Sequence, residues 1–460
     1  MSLACIPQTL VHAHLPCPPT IPNTIPELRI PTDRDFPDLD PEDGLFHEHA
    51  LSFSYNPDLN VLARATHNGY VLELRAFDTV HSSSSPPPSR DSNTSETIRI
   101  VFPDRIASLS EGCLIVSTLD RRVYILVYTE ADVLYRLNFH LGSSASGRGS
   151  RSGFTVRGND DWVEEWQVPQ DMVAASGGVG VWHALDELNV VLGCGDGGII
   201  RLARSSRGIN GASRVYFLVC RSLTSGAWSA HQHRISSRFR LPSLFSSASS
   251  DEQVLSFASY QVEEDLTLLY AFSRDRKLRV WNGFTGHLLK TVDVKATSVS
   301  RELALRGSQV AAGSSQSSLP DFSTASLVRV IPHPNPSSKT SHIVVVFAPP
   351  AQNSSSSGSF LVYRIGRSYS GSSDISLAGE RPCSAASIGA ELRGFEVLAP
   401  VFREGFNSGW RLCAAWDQKG AIAVESIAMD DIFQFTTVFE HHQPIPALLQ
   451  EWHVAATNLE

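Results

Sequence analysis

Apolar and polar positions alternate along this chain in one recurring form: an apolar run, a short polar turn, then a second apolar run. The clearest copies are "LARATHNGYVLEL" (62–74), "LIVSTLDRRVYILVY" (114–128), "NVVLGCGDGGIIRLA" (189–203), "LLYAFSRDRKLRVWN" (268–282) and "LCAAWDQKGAIAVESI" (412–427). A weaker copy joins "IVVVF" (343–347) to "FLVYRI" (360–365) across a Ser-rich loop. β-Branched and aromatic residues favour strands, and Asn-Gly or Asp-Gly dipeptides favour tight hairpin turns. Six hairpins are therefore predicted, with turns near residues 68, 120, 196, 275, 357 and 418. One hairpin repeated through a whole chain marks a repeat architecture.

The spacing between turns, 52 to 82 residues, exceeds the ~40–45 residues of a four-stranded propeller blade of WD type. Low-complexity inserts supply the excess: "TVHSSSSPPPSRDSNTSE" (79–96), "GSSASGRGSRSG" (142–153), "AAGSSQSSLPDFSTAS" (311–326) and "APPAQNSSSSGS" (348–359). Such segments bury too little apolar surface to order themselves and are expected as rim loops. The fold class expected is all-β: a WD-like, seven-bladed β-propeller with loop insertions and little helix. Six blades come from the hairpins. The seventh is expected from "LFHEHALSFSYN" (45–56) pairing with the final strands, which would remove an open sheet edge. Residues 1–44 then form an N-terminal extension, 45–440 the propeller, and 441–460 the start of a helical domain cut short.

Within 273–281 the details fit a WD repeat. Ser273 precedes Asp275 by two positions and Trp281 follows it by six. Asp275 belongs to the turn, where its carboxylate can accept from backbone N–H groups and side-chain donors. Leu278 and Val280 share one strand face, and Trp281 lies on the other. These five residues read as a folding device.

Composition narrows the function classes. The 460 residues carry 38 Lys and Arg against 47 Asp and Glu, a net charge of −9, which speaks against a direct nucleic-acid role. Basic clusters such as Arg234, Arg238 and Arg240 are short. No apolar run is long enough for a transmembrane helix, and the Pro-interrupted N-terminus is a poor secretory signal. Seven dispersed cysteines without a CxxC pair suggest reduced thiols in the cytosol or nucleus, most of them small buried hydrophobes.

Candidate chemistry is sparse. "GCGDGG" (193–198) invites a phosphate reading, but no Lys and Ser/Thr follow its last Gly, and the next residues read as a strand, not a helix. His231 and His233 could share a strand face, yet no Cys, Asp or Glu nearby completes a tetrahedral metal set; His441 and His442 would point apart. "NDDWVEEWQVP" (159–169) groups Asp160, Asp161, Glu164 and Glu165 as a solvated face anchored by Trp162 and Trp166. No catalytic residue, cofactor, metal or small-molecule substrate is predicted. The stretch 234–260 raises a different possibility. Leu241, Leu244, Phe245 and Ala248 recur at helical spacing opposite a Ser-rich, weakly charged side, as in helices that sense lipid-packing defects. The alternatives are a helix packed on the propeller side, or a loop entering a blade at Val254.

Taken together, "LPSLFSS", "VLSFASY" and "LLYAFSRDRKLRVWNGFTGHLLKTVDV", followed by "GFEVLAPVFREGFNSGWRLCAAWDQKGAIAVESI" (394–427), resemble the N-terminal propeller of the nucleoporin 120/160 family, most strongly over about 228–300 and 394–452. The resemblance implies a seven-bladed propeller followed by a helical solenoid. The chain ends at Glu460, just past "PALLQEWHVAATNLE", so it is expected to be a fragment or a truncated product. The resemblance further implies a scaffold subunit of the Y-shaped nuclear pore subcomplex, located at the nuclear envelope. With it come roles in mRNA export and protein transport, other Y-complex nucleoporins as partners (a WD-repeat partner in fungi among them), and proximity to the curved nuclear membrane. It carries over no catalytic residues. The competing readings are a WD-type adaptor in a trafficking coat or ubiquitin-ligase complex, and a propeller enzyme with its site at a central channel.

Overall fold

The computed structural model describes residues 7–11, 15–16, 27–40, 46–56, 59–78, 97–109, 114–117, 122–143, 152–155, 162–168, 170–175, 177–195, 197–205, 214–220, 229–230, 253–263, 266–294, 327–333, 340–350, 358–366, 374–383, 390–398, 401–403, 406–418 and 421–433. Strands dominate them, and one short helix, Gln170–Ala175, is present among the described residues. None of the described helical residues forms a helix long and apolar enough to cross a membrane. The strands fall into two compact units. The first, within the residues up to Pro169, holds the first and second sheets. The second, within Gln170–Pro400 and the run from Ser408, holds the third to sixth sheets.

In the first unit, the leading sheet runs Pro7–Val11, Phe46–Asn56, Leu59–Thr66, Val71–Asp78, Thr97–Val101, Glu27–Arg29, and Leu15–Pro16 also pairs with Phe46–Asn56. All its pairs are antiparallel except the last, where Glu27–Arg29 lies parallel to Thr97–Val101. Three of its strands thus come from the residues before 45. Its central strand Val71–Asp78 carries a buried charge: Glu73, 2% exposed, receives Arg64 at 2.5 Å and Arg99 at 3.3 Å. The second sheet centres on Arg122–Thr129 and Val133–Ser143. Ile106–Ser108 and Leu114–Ser117 lie on one side of that pair, and Ser152–Thr155 and Val163–Gln167 on the other.

In the second unit, the third sheet runs Val179–Asp186, Asn189–Cys194, Ile199–Ser205, Arg214–Cys220, Ser229–Ala230. The fourth runs Val254–Glu263, Leu266–Ser273, Lys277–Asn282, Leu288–Asp293. The fifth runs Val328–Pro332, Thr340–Ala348, Ser359–Gly366, Ile375–Pro382, and the sixth Glu391–Leu398, Arg411–Gln418, Ala421–Ala428. Strands Leu266–Ser273 and Thr340–Ala348 are buried along nearly their whole length, whereas the last strands of these sheets, Leu288–Asp293 and Ile375–Pro382, are half-exposed or exposed. A central strand covered on both faces reads as an unbroken apolar run, and an outer strand does not.

All six predicted hairpins form as antiparallel pairs, one in each of these six sheets. The expected partner of residues 45–56 is corrected. Phe46–Asn56 pairs with Leu59–Thr66 and Pro7–Val11, and Ala421–Ala428 pairs with Arg411–Gln418. A two-residue connection makes the adjacent strand the cheaper partner, since closing a short loop costs less chain entropy than joining the ends of the chain. Among the described residues, six sheets have three or more strands; Val401–Arg403 and Phe406–Ser408 add a two-stranded ribbon.

Candidate functional site

The turn from Ser273 to Lys277 is built around one carboxylate. Arg276 takes a left-handed conformation at φ 60°, and its N–H bonds to the Ser273 carbonyl at 2.9 Å. Asp275 Oδ1 accepts the Lys277 N–H at 3.2 Å and Arg279 Nη1 at 3.0 Å, while Oδ2 accepts Arg279 Nη2 at 2.5 Å. Arg279 is 3% exposed, so this two-pronged pair satisfies a buried guanidinium. Lys277 Nζ adds a looser ion pair at 3.5 Å.

Side-chain alternation along Lys277–Asn282 then feeds two cores. Leu278 and Val280 join the cluster shared with Val344, Val346, Phe347 and Phe360 of the fifth sheet. Trp281 joins Val191 and Ile199 of the third sheet with Val254, Phe257, Leu269 and Ala271 of its own. Ser273, Leu278, Val280 and Trp281 are all fully buried. Neither Ser273 Oγ nor Trp281 Nε1 has a hydrogen-bond partner among the described residues, so no polar relay links them. Leu278, Val280 and Trp281 thus pack the fourth sheet against its neighbours, while Asp275 holds the turn of its own sheet.

Residues that the sequence did not single out lie at the same sheet junctions. His183 Nε2 meets Ser259 Oγ at 2.8 Å between the third and fourth sheets. Tyr270 OH meets His342 Nε2 between the fourth and fifth, and the His342 ring stacks on Tyr260 at 4.0 Å. Burial lowers the His183 pKa to about 4 and that of His342 to about 3, so both rings are neutral. Arg329 Nε faces Glu396 Oε2 at 3.3 Å between the fifth and sixth sheets. Burial pushes the Glu396 carboxyl up to about 7, against the pull of Arg329. Polar residues flanked by apolar neighbours, as in "SHIVVVF" and "VRVIP", were the available signal, but neither names its partner.

The "GCGDGG" turn has a backbone explanation. Cys194 N–H bonds to the Gly198 carbonyl at 2.8 Å, Gly197 sits at φ 81°, and a strand follows at Ile199. A Cβ on Gly195 would lie 2.6 Å from the Gly177 carbonyl oxygen, so close approach of two backbones requires glycine there. In the acid-aromatic stretch, Trp166 is buried, Trp162 packs on Phe139 at 5.8 Å, Glu164 pairs with Arg136 at 3.4 Å, and Glu165 is exposed. Asp160, Asp161, His231, His233, Arg234, Arg238, Arg240, Leu241, Leu244, Phe245, Ala248, His441 and His442 lie outside the described residues, as does 441–460. Described structure resumes at Gln253, and Val254 opens the strand Val254–Glu263. Cys194 and Cys383 are buried thiols that form no disulfide, and burial pushes the Cys383 thiol up, away from reactivity. Among the described residues no three His, Cys, Asp or Glu side chains group as a metal site.

No curated protein matches this chain. Among solved structures, the β-propeller domain of Myceliophteria thermophila Cps50 (Swd1) is similar at 10% identity and a TM-score of 0.38, over 80% of this chain and 79% of that one. Saccharomyces cerevisiae Sqt1 is similar at 9% identity and a TM-score of 0.35, over 77% of this chain and 66% of that one. These likenesses are too loose to carry an argument. The family comparison is of another order: the description "Nucleoporin Nup120/160, beta-propeller domain" matches residues 60–447 and so takes in five of the six sheets whole and, of the first, Val71–Asp78, Thr97–Val101 and all but the first residue of Leu59–Thr66. This chain belongs to the nucleoporin Nup120/160 β-propeller domain family.

Proposed function

We propose that this protein is a structural scaffold subunit of the nuclear pore complex, acting within the Y-shaped subcomplex and supporting nucleocytoplasmic transport, mRNA export included. The observation that carries the reading is the family match across residues 60–447. Leu278, Val280 and Trp281 pack between sheets and Asp275 holds its own turn, which supports a structural role for this motif. Other nucleoporins of the Y-complex, a WD-repeat subunit among them, are its partners in this reading, and the nuclear envelope is its location. Leu241, Leu244 and Phe245 are the candidate contact to curved membrane or to a partner.

The test is to tag the protein in its native cells, image it, and identify the proteins that co-purify. A punctate nuclear rim with Y-complex nucleoporins in the eluate, and nuclear accumulation of polyadenylated RNA on depletion, are the expected results. A diffuse signal with coat or ubiquitin-ligase subunits in the eluate would assign the protein to an adaptor role instead.

A further inference from the structure

The strand Thr97–Val101, sequence TIRIV, lacks the usual defences of a sheet edge. Ile98, Ile100 and Val101 are β-branched, apolar and at most 1% exposed. It contains no Pro, and its one charge, Arg99, is drawn to Glu73 at 3.3 Å. Natural edge strands are blunted by charge, Pro, bulges or a cover, because a bare apolar edge templates pairing with another chain. Here the cover comes from the N-terminal residues. Glu27–Arg29 adds in parallel, with Glu27 opposite Arg99, Leu28 opposite Ile100 and Arg29 opposite Val101. The Ile30 N–H extends the ladder to the Val101 carbonyl at 3.1 Å, and the Ile30 side chain is 1% exposed.

A three-residue parallel strand is weak alone, and a clamp follows it. Arg34 donates through Nη1 to Asp104 and through Nη2 to the Tyr135 hydroxyl, and lies 3.9 Å from Glu165. Its three partners come from the connection after Thr97–Val101 and from two strands of the second sheet, so this side chain fastens the segment to the second sheet while the ladder holds it to the first. Between the ladder and the clamp the chain is exposed at Pro31 and Asp33. The segment is thus an exposed strap held at a ladder, one buried isoleucine and one arginine.

We propose that residues Glu27–Arg34 are an edge guard, a strap that occupies the strand-addition edge of the first sheet and keeps a second copy of this chain from pairing there. The second copy is the expected occupant because the bare edge is self-complementary in chemistry, with four β-branched residues, three of them apolar, and one charge drawn to Glu73. The guard acts in cis at very high effective concentration, so it wins over the second copy while the clamp holds.

The experiment uses the full chain with Arg34→Glu, which places a negative charge against Asp104 and Glu165, and separately with Ile30→Asp. Light scattering after size exclusion across roughly 1–100 µM should show a monomeric wild type and concentration-dependent dimers or larger species for both variants. The Ile30 N–H reaches the Val101 carbonyl, so the peptide groups of Arg99 and Val101 face the strap. Their amides should exchange at least about ten-fold faster in variants held monomeric at the lowest concentration. A synthetic peptide of residues 24–36 added in trans should restore the monomer, which loss of a merely structural contact would not predict. Variants that stay monomeric at every concentration, unchanged exchange at Arg99 and Val101, or no rescue by the peptide would each overturn the guard. Loss of the circular dichroism signal in both variants would also overturn it, because the strap would then be part of the core.

Discussion

Removing Trp281 tests the junction between the third and fourth sheets, and the size of the ring separates two effects. The indole is fully buried among Val191, Ile199, Val254, Phe257, Leu269 and Ala271. Trp281→Ala empties that space and should cost about 3–5 kcal/mol, the transfer loss plus the cavity that strands on either side cannot collapse to fill. Trp281→Phe is more informative. The smaller ring gives up roughly 1–2 kcal/mol of burial and contact. It also removes Nε1, a buried donor without a partner among the described residues, and such a donor costs the wild type about 1–3 kcal/mol. The two terms nearly cancel, so Trp281→Phe should stay within about 1 kcal/mol of the wild type. Urea unfolding followed by circular dichroism measures both, and an unchanged slope with a shifted midpoint identifies a stability effect. If Phe costs as much as Ala, the N–H is hydrogen-bonded in solution and the argument from the unpaired donor fails. If neither variant shifts the midpoint, Trp281 is exposed and the junction itself is misassigned.

Further outcomes follow from the same geometry. Asp275→Ala should cost about 3 kcal/mol because it strands the Arg279 guanidinium in a buried turn, and Asp275→Ala with Arg279→Met should recover part of that in a double-mutant cycle; strict additivity in urea unfolding would refute the pair. His183 and His342 are depressed to about 4 and about 3, so the stability they confer is full above their ordinary 6.5 and is lost as pH falls through these values. At pH 5 each should already cost about 2 kcal/mol, and His342→Gln should flatten that acid limb in melts between pH 7.5 and 5, whereas an unaltered limb would mean the ring is already solvated. Glu396 has the opposite sign: its folded value of about 7 lies above the ordinary 4.5, so its contribution is present below 4.5 and is lost as pH rises through 7, and Glu396→Gln should flatten the alkaline limb. If Leu241, Leu244 and Phe245 contact membrane, flotation should recover the protein with small liposomes and not with large flat ones, and Phe245→Asp should erase the difference without unfolding; equal indifference of the folded wild type to both sizes would end that reading.

What the sequence discloses and what it withholds divide along the distance between interacting residues. Five of the six hairpins were legible because each is decided within about fifteen residues, by a turn such as Asn68-Gly69 or Arg274–Arg276 between two apolar runs. The opposite facing of Val280 and Trp281 was legible for the same reason, since alternation along one strand fixes it. The strand 46–56 was misassigned because its pattern states that it is a strand but not whose neighbour it is. A Pro57-Asp58 turn to the adjacent run at 59 was the local clue, and a ring-closing role was read in its place. His342, Glu396 and Arg34 lie beyond any local reading, with partners 72, 67 and 70 residues away in Tyr270, Arg329 and Asp104. The edge guard falls between these cases. TIRIV announces, from its residues, an apolar strand with one charge and no Pro; that Glu73 draws that charge away, and that the edge therefore needs cover, follows from the structure. Which segment supplies the cover follows only from the parallel ladder with Glu27–Arg29 and the Arg34 clamp, because a parallel partner can sit anywhere in the chain that its connection can reach. Searching a repeat protein for strands that lack their own edge protection, then asking which terminal segment lies over each, is therefore a way to find such straps that neither hairpin periodicity nor motif matching provides.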